Sequence, residues 1–190
     1  MKKFGYLMMI LLAGTVIFQG CKDDDETPEV KKVSLGAQDN VNTGGFYSVS
    51  ENKVYTMENA FNNQGAIDIF CFFEAKKASD AANNIAMASP GSGIDGIFSG
   101  SAAPENWTTQ NTTFFCATTL TVAQFDALEE TDQLIETSFD QENAYRKAKD
   151  LKVDDIYAFK TQSETYGLFK VTQVTQGSTG SVAFEVKVKK

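Results

Sequence analysis

The sequence predicts an α+β fold: a single domain with a mixed or antiparallel sheet, helices on one face and a C-terminal three-stranded meander. A β-sandwich is the alternative. Three stretches carry this prediction. The last 37 residues alternate apolar and polar side chains with period two, as half-buried antiparallel strands do. IDIFCFF is apolar on both faces of a strand, which places it in the middle of a sheet. LTVAQFDALEE opens with a helix-capping pattern and then spaces apolar residues by three, as a helix lying on a sheet does.

The elements follow in order. Residues 33 to 55 divide into VSLGAQ, DNVNTGG and FYSVSENKVY, which fit two or three strands around a loop at 39 to 45. Val41 stands where a calcium loop needs an oxygen ligand, so the loop reads as turn chemistry. Thr56 caps a short helix over MENAFNNQ, ended by Gly65. In IDIFCFF, Ile67, Ile69, Cys71 and Phe73 share one face while Phe70 and Phe72 take the other. NNIAMASPGSG is a second short strand that runs into a Pro-Gly-Ser loop reaching residue 106, and TTFFCAT is a further strand. Thr121 and Gln124 form a capping box, Leu120 staples onto Phe125, and Val122, Phe125 and Leu128 share the apolar stripe. A second helical turn is expected around 132 to 135 and another over 144 to 149. The meander is DIYAFKT, GLFKVTQV and SVAFEVKV. In its last strand Val182, Phe184, Val186 and Val188 point inward, with Glu185, Lys187 and Lys189 outward.

The 190 residues are 42% apolar, enough for one core without a metal or disulfide staple. Phenylalanine, with 15 residues against one tryptophan, fills that core. The formal charge is -8. Removing residues 1 to 20, which hold Lys2 and Lys3 and no acid, lowers it to -10. With no long basic run, the chain is not expected to bind nucleic acid.

The N-terminal stretch MKKFGYLMMILLAGTVIFQG has two lysines, an apolar segment from Phe4 to Phe18 and then small or polar residues before Cys21, the layout of an export signal. It is too short and too interrupted for a transmembrane helix. Phe18, Gln19, Gly20 and Cys21 resemble the loose lipobox of Bacteroidetes lipoproteins, although Phe18 and Gln19 depart from the usual Leu and small residue. The acidic run Lys22, Asp23, Asp24, Asp25 and Glu26 resembles the signal that directs such lipoproteins to the outer face of the outer membrane. AFKTQSETYGLFKV also looks like hairpins of uncharacterised lipoproteins from that group. The resemblance implies a signal peptide over 1 to 20, a diacylglycerol on Cys21 that anchors the chain, and surface display. An acidic tether over 21 to 32 and a globular domain over 33 to 190 complete the expected organisation.

With Cys21 assigned to lipid, Cys71 and Cys116 remain as either a disulfide or two separate core thiols. Histidine is absent, which removes the base of Ser-His-Asp and Cys-His catalysis and the usual ligands of zinc and non-haem iron sites. No nucleotide-binding glycine motif is present, and no cofactor or metal is implied. Trp107, in PENWTTQN, is either a stacking platform for a sugar or a plug at the core's edge. Tyr47, Tyr55, Tyr157 and Tyr166 share that ambiguity. The acid pairs Glu129/Glu130 and Asp154/Asp155 read as solvated surface, and Asp154 and Asp155, as neighbours on a strand, point to opposite faces and cannot face each other across a cleft. The expected function is therefore a non-catalytic, surface-anchored lipoprotein binding an extracellular ligand such as a glycan. The alternatives are a structural or assembly component of an envelope complex, with a protein partner, and a histidine-independent carboxylate hydrolase.

Overall fold

The computed structural model describes residues 30–74 and 84–190. Cys21 and the acidic run Lys22, Asp23, Asp24, Asp25 and Glu26 lie outside the described residues, as does the expected signal peptide. Among the described residues, ten strands form two five-stranded sheets in which every pairing is antiparallel. In chain order they are β1 (Lys31–Gly36), β2 (Phe46–Ser48), β3 (Lys53–Tyr55), β4 (Ile69–Glu74), β5 (Asn84–Ala88), β6 (Phe114–Ala117), β7 (Lys147–Ala148), β8 (Ile156–Lys160), β9 (Tyr166–Thr175) and β10 (Ser181–Val188). The first sheet has the order β1-β10-β9-β8-β6 and the second β3-β2-β4-β5-β7. Three short helices join them: α1 (Met57–Phe61), α2 (Val122–Ala127) and α3 (Gln133–Thr137).

The sheets pack face to face. Their shared core takes Val33, Leu35, Phe115, Phe159, Phe169, Val182 and Phe184 from the first sheet and Tyr47, Ile69, Cys71, Ile85 and Met87 from the second. Each fully buried Phe contributes about 1.5–3 kcal/mol relative to an exposed one, and Phe115, Phe159, Phe169 and Phe184 are all fully buried here. Both outer faces are apolar too, which explains the strands that are hydrophobic on both sides. Helices α2 and α3 bring Phe125 and Ile135 onto Cys116, Ile156, Ala158 and Leu168 of the first sheet. Helix α1 and the loop after β5 cover Phe46, Phe70, Phe72, Ala86 and Ala88 of the second with Ala60, Ile94, Phe98 and Trp107.

Much of the expected order is present. β4 is the central strand of its sheet, the meander is β8-β9-β10, and the capping box at Thr121 and Gln124 is complete on both sides. Thr56 caps α1 by accepting from the Asn59 amide, but the helix ends at Phe61, ahead of Gly65, which lies in a 3-10 turn. Ile67 precedes β4 and packs with Phe70 and Phe72 rather than with Ile69.

Two expectations change. No helix forms over 144 to 149: Tyr145 bridges to Phe115 and Lys147–Ala148 is a strand, so pairing with both sheets overrides the local propensity of Ala and Lys. Glu185 and Lys187 do face away from the inter-sheet core, yet Lys187 is only 7% exposed because α2 lies over it. Its ammonium donates to the carbonyls of Asp126 at 3.0 Å and Leu128 at 2.5 Å, at the end of α2 where unpaired carbonyls need donors. The Lys170 ammonium sits between Asp126 and Glu185, at 2.5 and 2.8 Å. These two ammoniums are 5.2 and 5.1 Å from the Phe125 ring centroid, within cation–π range.

Candidate functional site

The segment 144 to 149 is the one that joins the two sheets on the β6 side. Tyr145 exchanges both backbone hydrogen bonds with Phe115, the amides donating at 2.7 and 2.8 Å. Two residues on, Lys147 and Ala148 pair with Ala88 and Met87 of β5. Phe115 belongs to the first sheet and Met87 to the second, so the chain crosses the gap between them within four residues. Ala148 faces the shared core, and alternation along the strand turns its neighbours elsewhere.

Beside this crossing lies a cavity of about 570 Å³, lined by Phe115, Ala117, Asn143, Tyr145, Arg146, Lys147, Lys149 and Tyr157. Small-ligand sites span about 300–1,000 Å³ and combine apolar walls with a few convergent polar groups. Phe115 and Tyr157 are inner-face residues of the first sheet, so the cavity is where the inter-sheet space opens at that edge. Tyr157 is its firm wall: the ring stacks on Phe169 with centroids 5.3 Å apart and planes 10° apart, and its hydroxyl donates to the Lys149 carbonyl at 3.3 Å. Burial, then the charges of Asp155 and Asp150, push its phenol up, keeping it neutral and able to donate. Tyr145 is the free ring, 69% exposed. The Arg146 guanidinium donates to the Gly91 carbonyl at 2.9 Å.

Trp107 takes the core position. It is 5% exposed, its ring lies 5.5 Å from that of Phe46, and its indole N–H donates to the Ala102 carbonyl at 2.8 Å. A stacking platform needs an open ring face, so Trp107 is removed from the candidate ligand-binding residues. Tyr47 and Tyr55 are buried as well, their hydroxyls donating to Asn52 and Glu51. Tyr166 stands edge-on to Phe139. Of the five aromatic candidates, Tyr157 alone lines the cavity. A second hollow near Trp107, of about 430 Å³, is lined by Phe61, Asn62, Asn63, Gln64 and Thr109 among others. Its amides are engaged locally: Asn62 and Asn63 donate to the carbonyls of Glu58 and Asn59, and Gln64 accepts from the Thr109 amide.

Sequence reasoning missed Tyr145, Arg146, Lys147 and Lys149, having assigned them to a helix. A signal was available. Arg146 is the chain's single arginine, and AYRKAK sets three cations within four residues in an acidic sequence.

Cys71 and Cys116 are unbonded. Cys71 lies between the sheets and Cys116 on the far side of the first sheet, under the helical layer, so they are two separate core thiols. Burial pushes the Cys71 thiol up to about 12 and also raises that of Cys116, which accepts from the Asp140 amide at 3.2 Å. Neither is a nucleophile at neutral pH. Among the acids, Asp68 is 7% exposed. Burial pushes its carboxyl up to about 6, although one oxygen accepts from the Val49 amide at 2.9 Å. Glu130 is held by Lys31 at 2.7 Å and Lys190 at 2.6 Å, and Asp155 accepts from the Lys152 amide. Among the described residues no group of three potential metal ligands assembles, and no helix is long and apolar enough to cross a membrane.

No protein-family model matches the chain, and no curated protein matches it. Among solved structures, the fold is similar to a DUF4466 family protein from Parabacteroides merdae ATCC 43184, with a TM-score of 0.53 and 18% sequence identity. The similarity covers 84% of this chain and 52% of that one, so this chain spans about half the length of its structural neighbour. At that identity the two share a fold.

Proposed function

We propose that this chain is a non-catalytic, ligand-binding lipoprotein, anchored by lipid on Cys21 to the outer membrane and displayed on the cell surface, with a glycan as its ligand. The cavity at the sheet-crossing segment carries this reading. Its lining combines an exposed ring, Tyr145, and a fixed one, Tyr157, with the amide of Asn143 and the cations Arg146, Lys147 and Lys149. Sugar rings place their C–H faces on such aromatic surfaces and give their hydroxyls to donors and acceptors around the rim. The site thus moves from the loop of Trp107 to the β6–β7 edge.

Screening the full chain against a glycan array tests the ligand. Binding that falls at least tenfold in Tyr145→Ala, with thermal stability unchanged, supports the cavity as the site. An unchanged signal in that variant removes the cavity from the account, and an empty array removes the glycan. Anchoring is tested separately: Cys21→Ser is expected to release the protein from the membrane fraction, and retention there sinks the lipid assignment.

A further inference from the structure

The cavity has a sign. Its lining includes three cations, Arg146, Lys147 and Lys149, and no carboxylate, in a chain with 25 acidic against 17 basic residues. The partners of those cations leave much of their charge uncompensated. Arg146 donates to a neutral carbonyl and lies 5.8 Å over the Phe114 ring, contacts that position the guanidinium without neutralising it. A guanidinium has five N–H donors, and one is accounted for by Gly91. Among the described residues, no carboxylate pairs with Lys147. Lys149 is paired with Glu74 at 3.2 Å, but both groups are more than a third exposed, so the pair is weak and exchangeable. Asp150 and Asp155 act on the Tyr157 phenol without lining the cavity.

Resting on the ligand-binding reading above, we infer that the ligand is an anionic polysaccharide, one whose sugars carry carboxylate or sulfate, with the anion on Arg146 and Lys147 and the ring between Tyr145 and Tyr157. A planar guanidinium matches either anion with two parallel hydrogen bonds. The mobile ammonium of Lys147 adds a point charge. Outside the cavity the acidic surface repels the same polymer, so the attraction is local and sets register along the chain of sugars.

Matched polymers test the charge apart from the sugar. The full chain in detergent is titrated with polygalacturonate and its fully methyl-esterified form, and with dextran sulfate and dextran. Kd is followed by calorimetry at low and high salt. At least one charged polymer is expected to bind about tenfold or more tightly than its neutral mate, as hydrogen bonds to charged groups imply. The preference shrinks as salt screens the charges. Which pair shows it tells carboxylate from sulfate. Lys147→Glu, a substitution at a partly exposed side chain, is expected to abolish the preference, and Arg146→Gln to reduce it at least tenfold. Neutral polymers binding as tightly as charged ones, or a preference untouched by Lys147→Glu, would overturn the anion while leaving glycan binding intact. If none of the four polymers binds, the anion inference falls, while the glycan reading is decided by the array.

Discussion

At the scale of single residues, the absence of histidine does more than exclude catalytic triads: it removes the side chain that ordinarily titrates between pH 5 and 8. Asp68, pushed up to about 6 by burial, titrates within it. Its folded pKa lies above the unfolded value, so protonation favours the fold. That stabilisation is complete below about pH 4 and is lost as pH rises through about 6. Urea midpoints of the unmodified protein are therefore expected to fall between pH 5 and 7.5. Asp68→Asn, which keeps an acceptor for the Val49 amide without an ionisation cost, should flatten that slope. Parallel curves for the two proteins would refute the account. Asp68 was not legible in the sequence as a buried acid, because its burial depends on the loop of Thr113, whose hydroxyl donates to the Asp68 carbonyl at 2.9 Å. Trp107 was legible as a residue with two fates, and the Ala102 carbonyl decided between them.

Secondary-structure elements were readable where their signals are local. Thr121 and Gln124 satisfy each other's backbone amides within four residues, so nothing distant is needed to start α2. Thr121→Ala is expected to cost about 1 kcal/mol, read as a lowered denaturation midpoint; no change would mean that α2 is held by Phe125 and Lys187 alone. The segment 144 to 149 fails for the opposite reason. AYRKAK has good helix formers, but Lys147 and Ala148 pair with residues 59 and 61 positions earlier in β5, and Tyr145 with one 30 positions earlier in β6. Lys187 shows the same limit on a smaller scale: alternation gave its face correctly, and only the packing of α2 could show that this face is covered.

For the molecule as a whole, apolar strands on both faces implied covered sheets, and the division of the strands between two sheets was the part that period-two patterns do not encode. That division predicts the behaviour of the thiols. Cys71 and Cys116 lie on opposite sides of the first sheet's plane, so neither is expected to react with a thiol reagent in the folded protein, and both should react after denaturation without reductant. Failure to react once unfolded would reveal a bond between them. The order of the first sheet has a mechanical consequence for a chain held at its N-terminal side. β1 is one edge and β6, beside the cavity, is the other, about 19 Å away at four strand spacings. A pull on a bound polymer is then carried through four ladders in series, and the weakest sets the yield force rather than their sum. The β6–β8 ladder has four residue pairs, fewer than the β8–β9, β9–β10 and β10–β1 ladders, while the start of β1 is fastened by the Glu130 clasp on Lys31. With the anchoring and the ligand proposed above, the β6–β8 ladder is expected to open first under load, releasing the polymer before β1 is stripped from β10.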